Sequence, residues 1–195
     1  TGVYNVAVGD ETLEANTSGS YNIAIGSLAL TANDTGGVNV AVGQSVLDAN
    51  TTGCANTAVG GFALTTNISG DFNTAIGRSA LQGSTANNNT AVGFEAMCKN
   101  TTGTENVAVG VTALLNNTTT SQITAVGRNA LRANVTSGNT AVGYAALLCN
   151  TTGNNNVSVG YQALACNTTA GDITAVGYQA GFSTISGGGS SVYVG

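Results

Sequence analysis

The feature that most constrains the fold is a pentapeptide, Asn56-Thr57-Ala58-Val59-Gly60, that recurs along the whole chain. Its closing glycine recurs in steps of 17 residues, with two steps of 16 and a last step of 18, at Gly9, Gly26, Gly43, Gly60, Gly77, Gly93, Gly110, Gly127, Gly143, Gly160, Gly177 and Gly195. A fixed period of this size is typical of solenoids, in which each repeat packs only on its neighbours. The period therefore predicts a stack of similar turns, which we call rungs.

Composition supports an ordered chain and excludes some partners. Only 7% of the residues are charged, but 42% are hydrophobic, and these occupy fixed positions in the repeat, which favours order over disorder. The net charge is −5, and the four basic residues form no dense patch in sequence, which argues against nucleic acid as a partner; they are Arg78, Lys99, Arg128 and Arg132. The sequence contains no run of about 18 apolar residues, so we expect no membrane insertion in this segment. It begins and ends within a repeat and shows no signal peptide, so we interpret it as a section of a longer polypeptide.

The pentapeptide itself has the pattern of a short strand. Val or Ile precedes the glycine, Ala lies one position earlier, and a β-branched residue such as Val40 or Thr57 lies before the alanine. Neither Lys nor Glu occurs in it, so we expect the strand to be covered on both faces. The β-branched residues would fill a hydrophobic seam, and the alanines would pack closely against another backbone.

The rest of each repeat has the pattern of turns. Two variable positions follow the glycine, then a pair such as Ala63-Leu64, then Asn and usually Thr-Thr-Gly, which is turn chemistry. No stretch has helical periodicity. We predict an all-β parallel β-solenoid (β-roll) of about eleven rungs of 16–18 residues over residues 1–180, with a degenerate last repeat or a transition to a following module over 181–195. The Asn before each strand is predicted to form a ladder of stacked amides, interrupted at Ile123 and Ile173.

Asn-x-Ala-[Val/Ile]-Gly resembles the head repeat of YadA-like trimeric autotransporter adhesins, and the longer form Asn139-Thr140-Ala141-Val142-Gly143-Tyr144-x-Ala146-Leu147 is similar to repeats of phage and viral tail fibres. The likeness covers essentially the whole chain, although the adhesin period is shorter. It implies a left-handed roll, a homotrimer and an extracellular location on a virion or cell surface. The function that it implies is a structural rod that spaces or displays a receptor-binding element, with a host-surface glycan or protein as partner.

Two other functions stay open at this point. Uncapped rungs are strand-pairing edges, so the chain could build a self-assembling extracellular filament without its own receptor. An ice-binding solenoid is the third candidate, because one column of the repeat contains Thr57, Thr74, Thr90, Thr124, Thr140 and Thr174. Val and Ile share that column, which favours its burial.

The sequence offers little for catalysis. It has no histidine, so neither a Ser-His nor a Cys-His pair can form. Asp10, Glu11 and Glu14 cluster, but we interpret them as a solvated end of a rung rather than a glycosidase pair. Cys54, Cys98, Cys149 and Cys166 lack metal-site spacing. Cys149 and Cys166 lie one period apart, which permits a disulfide without requiring one. We predict neither an enzyme nor a cofactor or metal site.

Two sets of residues are candidates for surface chemistry. Tyr144, Tyr161 and Tyr178 share one position on three successive rungs, which suits either a stabilising aromatic ladder or a surface that binds a glycan or protein. Glycosylation sequons, which could equally be a by-product of the turn sequence, occur at Asn16, Asn33, Asn50, Asn67, Asn100, Asn117, Asn134, Asn150 and Asn167.

Overall fold

The computed structural model describes residues 1–184 and 190–195, and in them the chain forms one parallel sheet in which strand order follows chain order. The strands are β1 (Val6–Val8), β2 (Ile23–Ile25), β3 (Val40–Val42), β4 (Thr57–Val59), β5 (Thr74–Ile76), β6 (Thr90–Val92), β7 (Val107–Val109), β8 (Thr124–Val126), β9 (Thr140–Val142), β10 (Val157–Val159), β11 (Ile173–Val176) and β12 (Ser191–Val194). These residues contain no helix. The predicted all-β parallel solenoid of about eleven rungs is confirmed.

Neighbouring strands pair in strict register, so equivalent residues of the repeat stack on one another. Val40 pairs with Thr57, and Ala41 pairs with Ala58. Because parallel strands lie about 4.8 Å apart, each sequence position becomes a straight column of side chains along the roll.

Two tight turns and a loop complete each rung. In the fourth rung the Ala63 N–H donates to the Gly60 carbonyl at 3.1 Å, and the Asn67 N–H donates to the Leu64 carbonyl at 3.1 Å. Phe62 and Leu64 have φ values of 65° and 51°, in the left-handed region, and Ala55 before the strand has φ 56°. Three non-glycine residues of this rung therefore hold a conformation that is mildly unfavourable for L-residues.

The interior of the roll is narrow and is filled by few side chains per rung. Asn56, Ala58, Ala63, Leu64 and Asn67 of the fourth rung are all 0% exposed. The leucine supplies most of the apolar volume, and the methyl groups of the alanines let opposite walls approach closely. Since the same columns are buried in successive rungs, the core is continuous along the axis.

The orientation of the strands corrects one expectation. From β2 to β11 the strand carries one small residue, alanine in all but β10 (Ser158), that is buried, whereas the β-branched residues on either side of it in the three-residue strands point outward, and Ile25 remains 40% exposed. The strands were expected to be covered on both faces, but within one chain only the alanine face is buried. A three-residue strand directs only its central side chain to the interior, and the space there accommodates alanine.

The buried asparagines before the strands bind the next rung through its backbone. Asn56 donates from Nδ2 to the Gly70 carbonyl at 2.8 Å and accepts the Asn73 N–H on Oδ1 at 2.9 Å. A direct amide–amide bond occurs in this column between Asn73 and Asn56, at 3.1 Å. The predicted ladder of stacked amides is therefore mainly a side-chain-to-backbone ladder. At the first break the Ile123 N–H still donates to Asn106, so that oxygen keeps its partner.

The direct amide ladder lies instead in the loop column, where only turn chemistry was expected. Nδ2 of one asparagine donates to Oδ1 of the asparagine one rung earlier, at 2.8–3.1 Å, in the pairs Asn33–Asn16, Asn50–Asn33, Asn67–Asn50, Asn117–Asn100, Asn150–Asn134 and Asn167–Asn150. Ser84 interrupts the column, and its Oγ accepts from Asn100 at 3.2 Å. The asparagine of this column therefore serves the interior of the roll as well as the turn.

The sheet continues into the C-terminal region. Strand β12 pairs with β11 in parallel, and Val176 lies opposite Val194. Gly181 occupies the column that carries leucine in other rungs and has φ 63°, as the leucines do. The expected transition over 181–195 includes residues 185–189, which lie outside the described residues.

Candidate interaction surface

The outward side chains of the strands form one flat surface, which we call the outer strand face. One of its columns begins Val6, Ile23, Val40, Thr57, and the other begins Val8, Ile25, Val42, Val59. Both columns run through β11 in register. Apart from Ile76 the residues are half-buried in the middle of the roll, and they are more exposed near its ends, where Val8 is 57% exposed and Val176 is 43% exposed.

The outer strand face contains only Val, Ile and Thr from β1 to β11, so it has no charge. Ten intervals of about 4.8 Å give it a length of roughly 50 Å, and a width of about 10 Å gives roughly 500 Å². That area lies at the upper end of the apolar patches found on typical monomers, and such patches commonly mark interaction sites. The sequence pattern identified these residues as constrained and predicted that both faces of the strand would be covered.

The threonines proposed for ice binding belong to this face. Thr57, Thr74, Thr90, Thr124 and Thr140 are half-buried and Thr174 is exposed, so the column is not the buried one that its valines suggested. The first three rungs of this column carry Val6, Ile23 and Val40 in place of threonine.

The three tyrosines form a stacked ladder beside the strands. The ring centroids of Tyr144 and Tyr161 are 5.1 Å apart and those of Tyr161 and Tyr178 are 5.4 Å apart, with interplanar angles of 12° and 7°. The sequence did not single out a second stack, Tyr4 on Tyr21 at 5.1 Å. Because each ring covers the face of its neighbour, the middle ring presents only its edge and hydroxyl group to a partner. Ligand binding by this ladder stays a prediction.

The sequon asparagines are the loop asparagines of the interior ladder. Eight are 0% exposed, namely Asn33, Asn50, Asn67, Asn100, Asn117, Asn134, Asn150 and Asn167, and Asn16 is half-buried. In Asn50 the Nδ2 atom that would carry a glycan donates to both Asn33 and Gly53. A glycan on these eight buried amides is incompatible with this packing, whereas glycosylation of the half-buried Asn16 stays a prediction.

The described residues include no group of three Cys, Asp or Glu side chains that could hold a metal ion. All four cysteines are free thiols, and burial raises the pKa of Cys98. Burial also raises the pKa of the Asp48 carboxyl.

The structure brings together two basic residues that are distant in sequence. Lys99 Nζ donates to Asn116 Oδ1 at 3.0 Å, and Asn116 and Arg132 line the same groove on the surface. Arg78 lies elsewhere, with its guanidinium carbon 5.9 Å from the centre of the Phe62 ring. Lys99 and Arg132 are two rungs apart, so their separation in the sequence did not reveal that both lie next to Asn116.

The chain was compared with protein-family models, curated proteins and solved structures. No protein-family model, curated protein or solved structure matches the chain. Within the described residues, no helix has the length and apolar character needed to cross a membrane.

Proposed function

We propose that this chain is a structural rod of an extracellular fibre, in which copies associate through the outer strand face and the assembly spaces or displays a receptor-binding element on a virion or cell surface. The observation that carries this proposal is the continuous, uncharged face of Val, Ile and Thr from β1 to β11. The number of copies, three, comes from the resemblance to adhesin heads.

The chemistry of the outer strand face favours a second copy of the same chain as its partner. Two such faces together would remove roughly 1,000 Å² from water, about the lower limit for a specific protein interface. Each face repeats the same two columns in every rung, so rungs of neighbouring copies meet equivalent surfaces along the whole length. Three such faces that point at a common axis would close the assembly, with each copy meeting its two neighbours through head-to-tail contacts around the ring.

A rod is also what the internal bonding favours. Each rung bonds to the next through strands, turns and buried amides, so stiffness is distributed along the axis instead of residing in one core. Such a scaffold holds its ends at a fixed separation. The mechanism is therefore mechanical, and its specificity depends on exposed residues such as those of the tyrosine ladder.

A charge placed in the outer strand face tests this proposal. Val126→Lys would place an ammonium group in the centre of the interface, whereas Thr102→Lys adds the same group to an exposed loop. We expect Val126→Lys to dissociate the assembly with an unchanged circular dichroism spectrum, and Thr102→Lys to leave it intact. A Val126→Lys variant that assembles like the parent chain would contradict the proposed interface.

Ice binding is the second candidate, favoured by the outward position of the threonine column. It needs the same face open to water, so it is exclusive with assembly through that face. Thermal hysteresis of the purified chain distinguishes the two, and its absence would remove ice binding. The self-assembling filament is an alternative that sedimentation at several protein concentrations addresses, because a filament grows with concentration whereas a closed trimer does not.

A further inference from the structure

A groove of about 310 Å³ lies on the turn side of the roll, lined by Asn116, Arg132, Ala133, Leu148 and Cys149. These residues come from three successive rungs, and Asn116, Ala133 and Cys149 occupy the same position of the repeat. Because Ala133 carries only a methyl group between two longer side chains, the surface is depressed there.

Two side chains of the groove have donor groups that no hydrogen bond among the described residues engages. Arg132 is exposed, and among the described residues no hydrogen bond or ion pair engages its guanidinium group. Asn116, which lines the groove, accepts from Lys99 on Oδ1, and no hydrogen bond among the described residues engages its Nδ2. No acidic side chain lines the groove.

The positive charge at and beside the groove contrasts with the acidic composition of the chain. The chain has 4 basic and 9 acidic residues, yet two of the basic residues, Lys99 and Arg132, flank Asn116 here. A guanidinium group binds carboxylates with paired, charge-assisted hydrogen bonds. The half-buried Leu148 and Ala133 add an apolar surface suited to the C–H face of a sugar ring. The volume is at the small end of ligand sites, which suits a single ring.

We infer that this groove binds one carboxylate-bearing monosaccharide unit, such as the terminal acidic sugar of a glycan. Arg132 holds the carboxylate, Asn116 Nδ2 donates to a ring or hydroxyl oxygen, and Leu148 contacts the apolar face of the ring. The inference goes beyond the proposed rod, because the groove is formed within one chain whatever the oligomeric state.

The test is a titration of the intact chain followed by NMR, with N-acetylneuraminic acid and galacturonic acid as probes and galactose as the neutral control. We expect saturable shifts with an acidic sugar, none with galactose, and weaker binding as salt rises. Arg132→Gln should lower the affinity at least about fivefold, since it removes the charge that pairs with the carboxylate. Arg78→Gln is the matched control and should leave the affinity unchanged.

Three results would overturn the inference. They are the absence of saturable binding by both acidic sugars, equal binding of galactose, and unchanged affinity in Arg132→Gln. Acetate provides a fourth arm, because acetate binding as tight as that of the sugars would show a carboxylate site without sugar recognition and would also overturn it. Arg132 is exposed, so its substitution leaves the core intact, and a circular dichroism spectrum checks this.

Discussion

Asn50 donates a 2.8 Å hydrogen bond from Nδ2 to Oδ1 of Asn33, one rung earlier, inside the roll. The same nitrogen also donates to the Gly53 carbonyl at 3.1 Å, and Asn50 Oδ1 accepts from Asn67 at 3.0 Å. A single side chain thus joins three successive rungs and fixes its own loop. Buried amides are tolerated in this narrow interior because their polar atoms find partners in neighbouring rungs.

Replacing Asn50 tests the energetic weight of this ladder. Asn50→Leu removes the donor to Asn33 and leaves a buried oxygen without it, so we expect a loss of roughly 2–4 kcal/mol in the free energy of unfolding. Asn50→Ser should be milder, because Ser84 already occupies this column and accepts from Asn100. Urea denaturation of both variants measures the order, and an Asn50→Leu protein as stable as the parent chain would show that the ladder contributes little.

The motif glycines are predicted to be irreplaceable where rungs stack. Gly143 has φ +136°, and a Cβ added there would lie 2.3 Å from the Gly160 carbonyl oxygen. Gly143→Ala should therefore destabilise the chain by about 2–4 kcal/mol, from the strained φ and the clash together. Gly61→Ala is the control, since its Cβ would meet only the Gln44 oxygen at 3.7 Å. Thermal unfolding should show a lowered midpoint for Gly143→Ala and an unchanged midpoint for Gly61→Ala.

Left-handed positions offer a way to stabilise the chain. Val38 is β-branched, 60% exposed and has φ 61°, which is unfavourable for such a residue. Val38→Asn relieves this strain, and we expect a gain of about 1 kcal/mol. Val111 is 41% exposed and is not among the residues with positive φ, so Val111→Asn should change stability by less than about 0.5 kcal/mol. Equal effects of the two substitutions in denaturant unfolding would contradict this explanation.

The carboxyl group of Asp48 predicts a pH dependence. Burial raises its pKa above the ordinary value of 3.8, so the ionised group destabilises the fold at neutral pH. Asp48→Asn should raise the melting temperature at pH 7. The difference should shrink as the pH falls through the raised pKa and vanish below 3.8, where both folded and unfolded chains are protonated. A difference that is the same at pH 3 and pH 7 would assign the effect to packing.

The period and the residue types of the repeat were sufficient to predict the solenoid, the strands and the turns. Val59 and Ala58 alternate as strand residues do, and Leu64 and its equivalents in other rungs form one buried column. Which strand face lies inside was not predictable from alternation alone. The decisive fact is the narrow interior, where Ala58 fits and Val59 does not, and this depends on where the turns place the opposite wall.

The surface features were less accessible to sequence reasoning. Asn67 looked like a turn residue because its neighbours are Thr and Gly, yet its amide lies in the core. Lys99 and Arg132 are 33 positions apart in the chain, and only the stacking of rungs brings both next to Asn116. The tyrosine column was visible from the period, but its near-parallel stacking required coordinates.

The central claim is that the outer strand face joins copies of this chain, and the most direct measurement is sedimentation equilibrium of the purified protein over a range of concentrations. The proposal predicts a closed species of three times the 19.1 kDa chain mass that persists on dilution. A stable monomer of 19.1 kDa at all concentrations would contradict it.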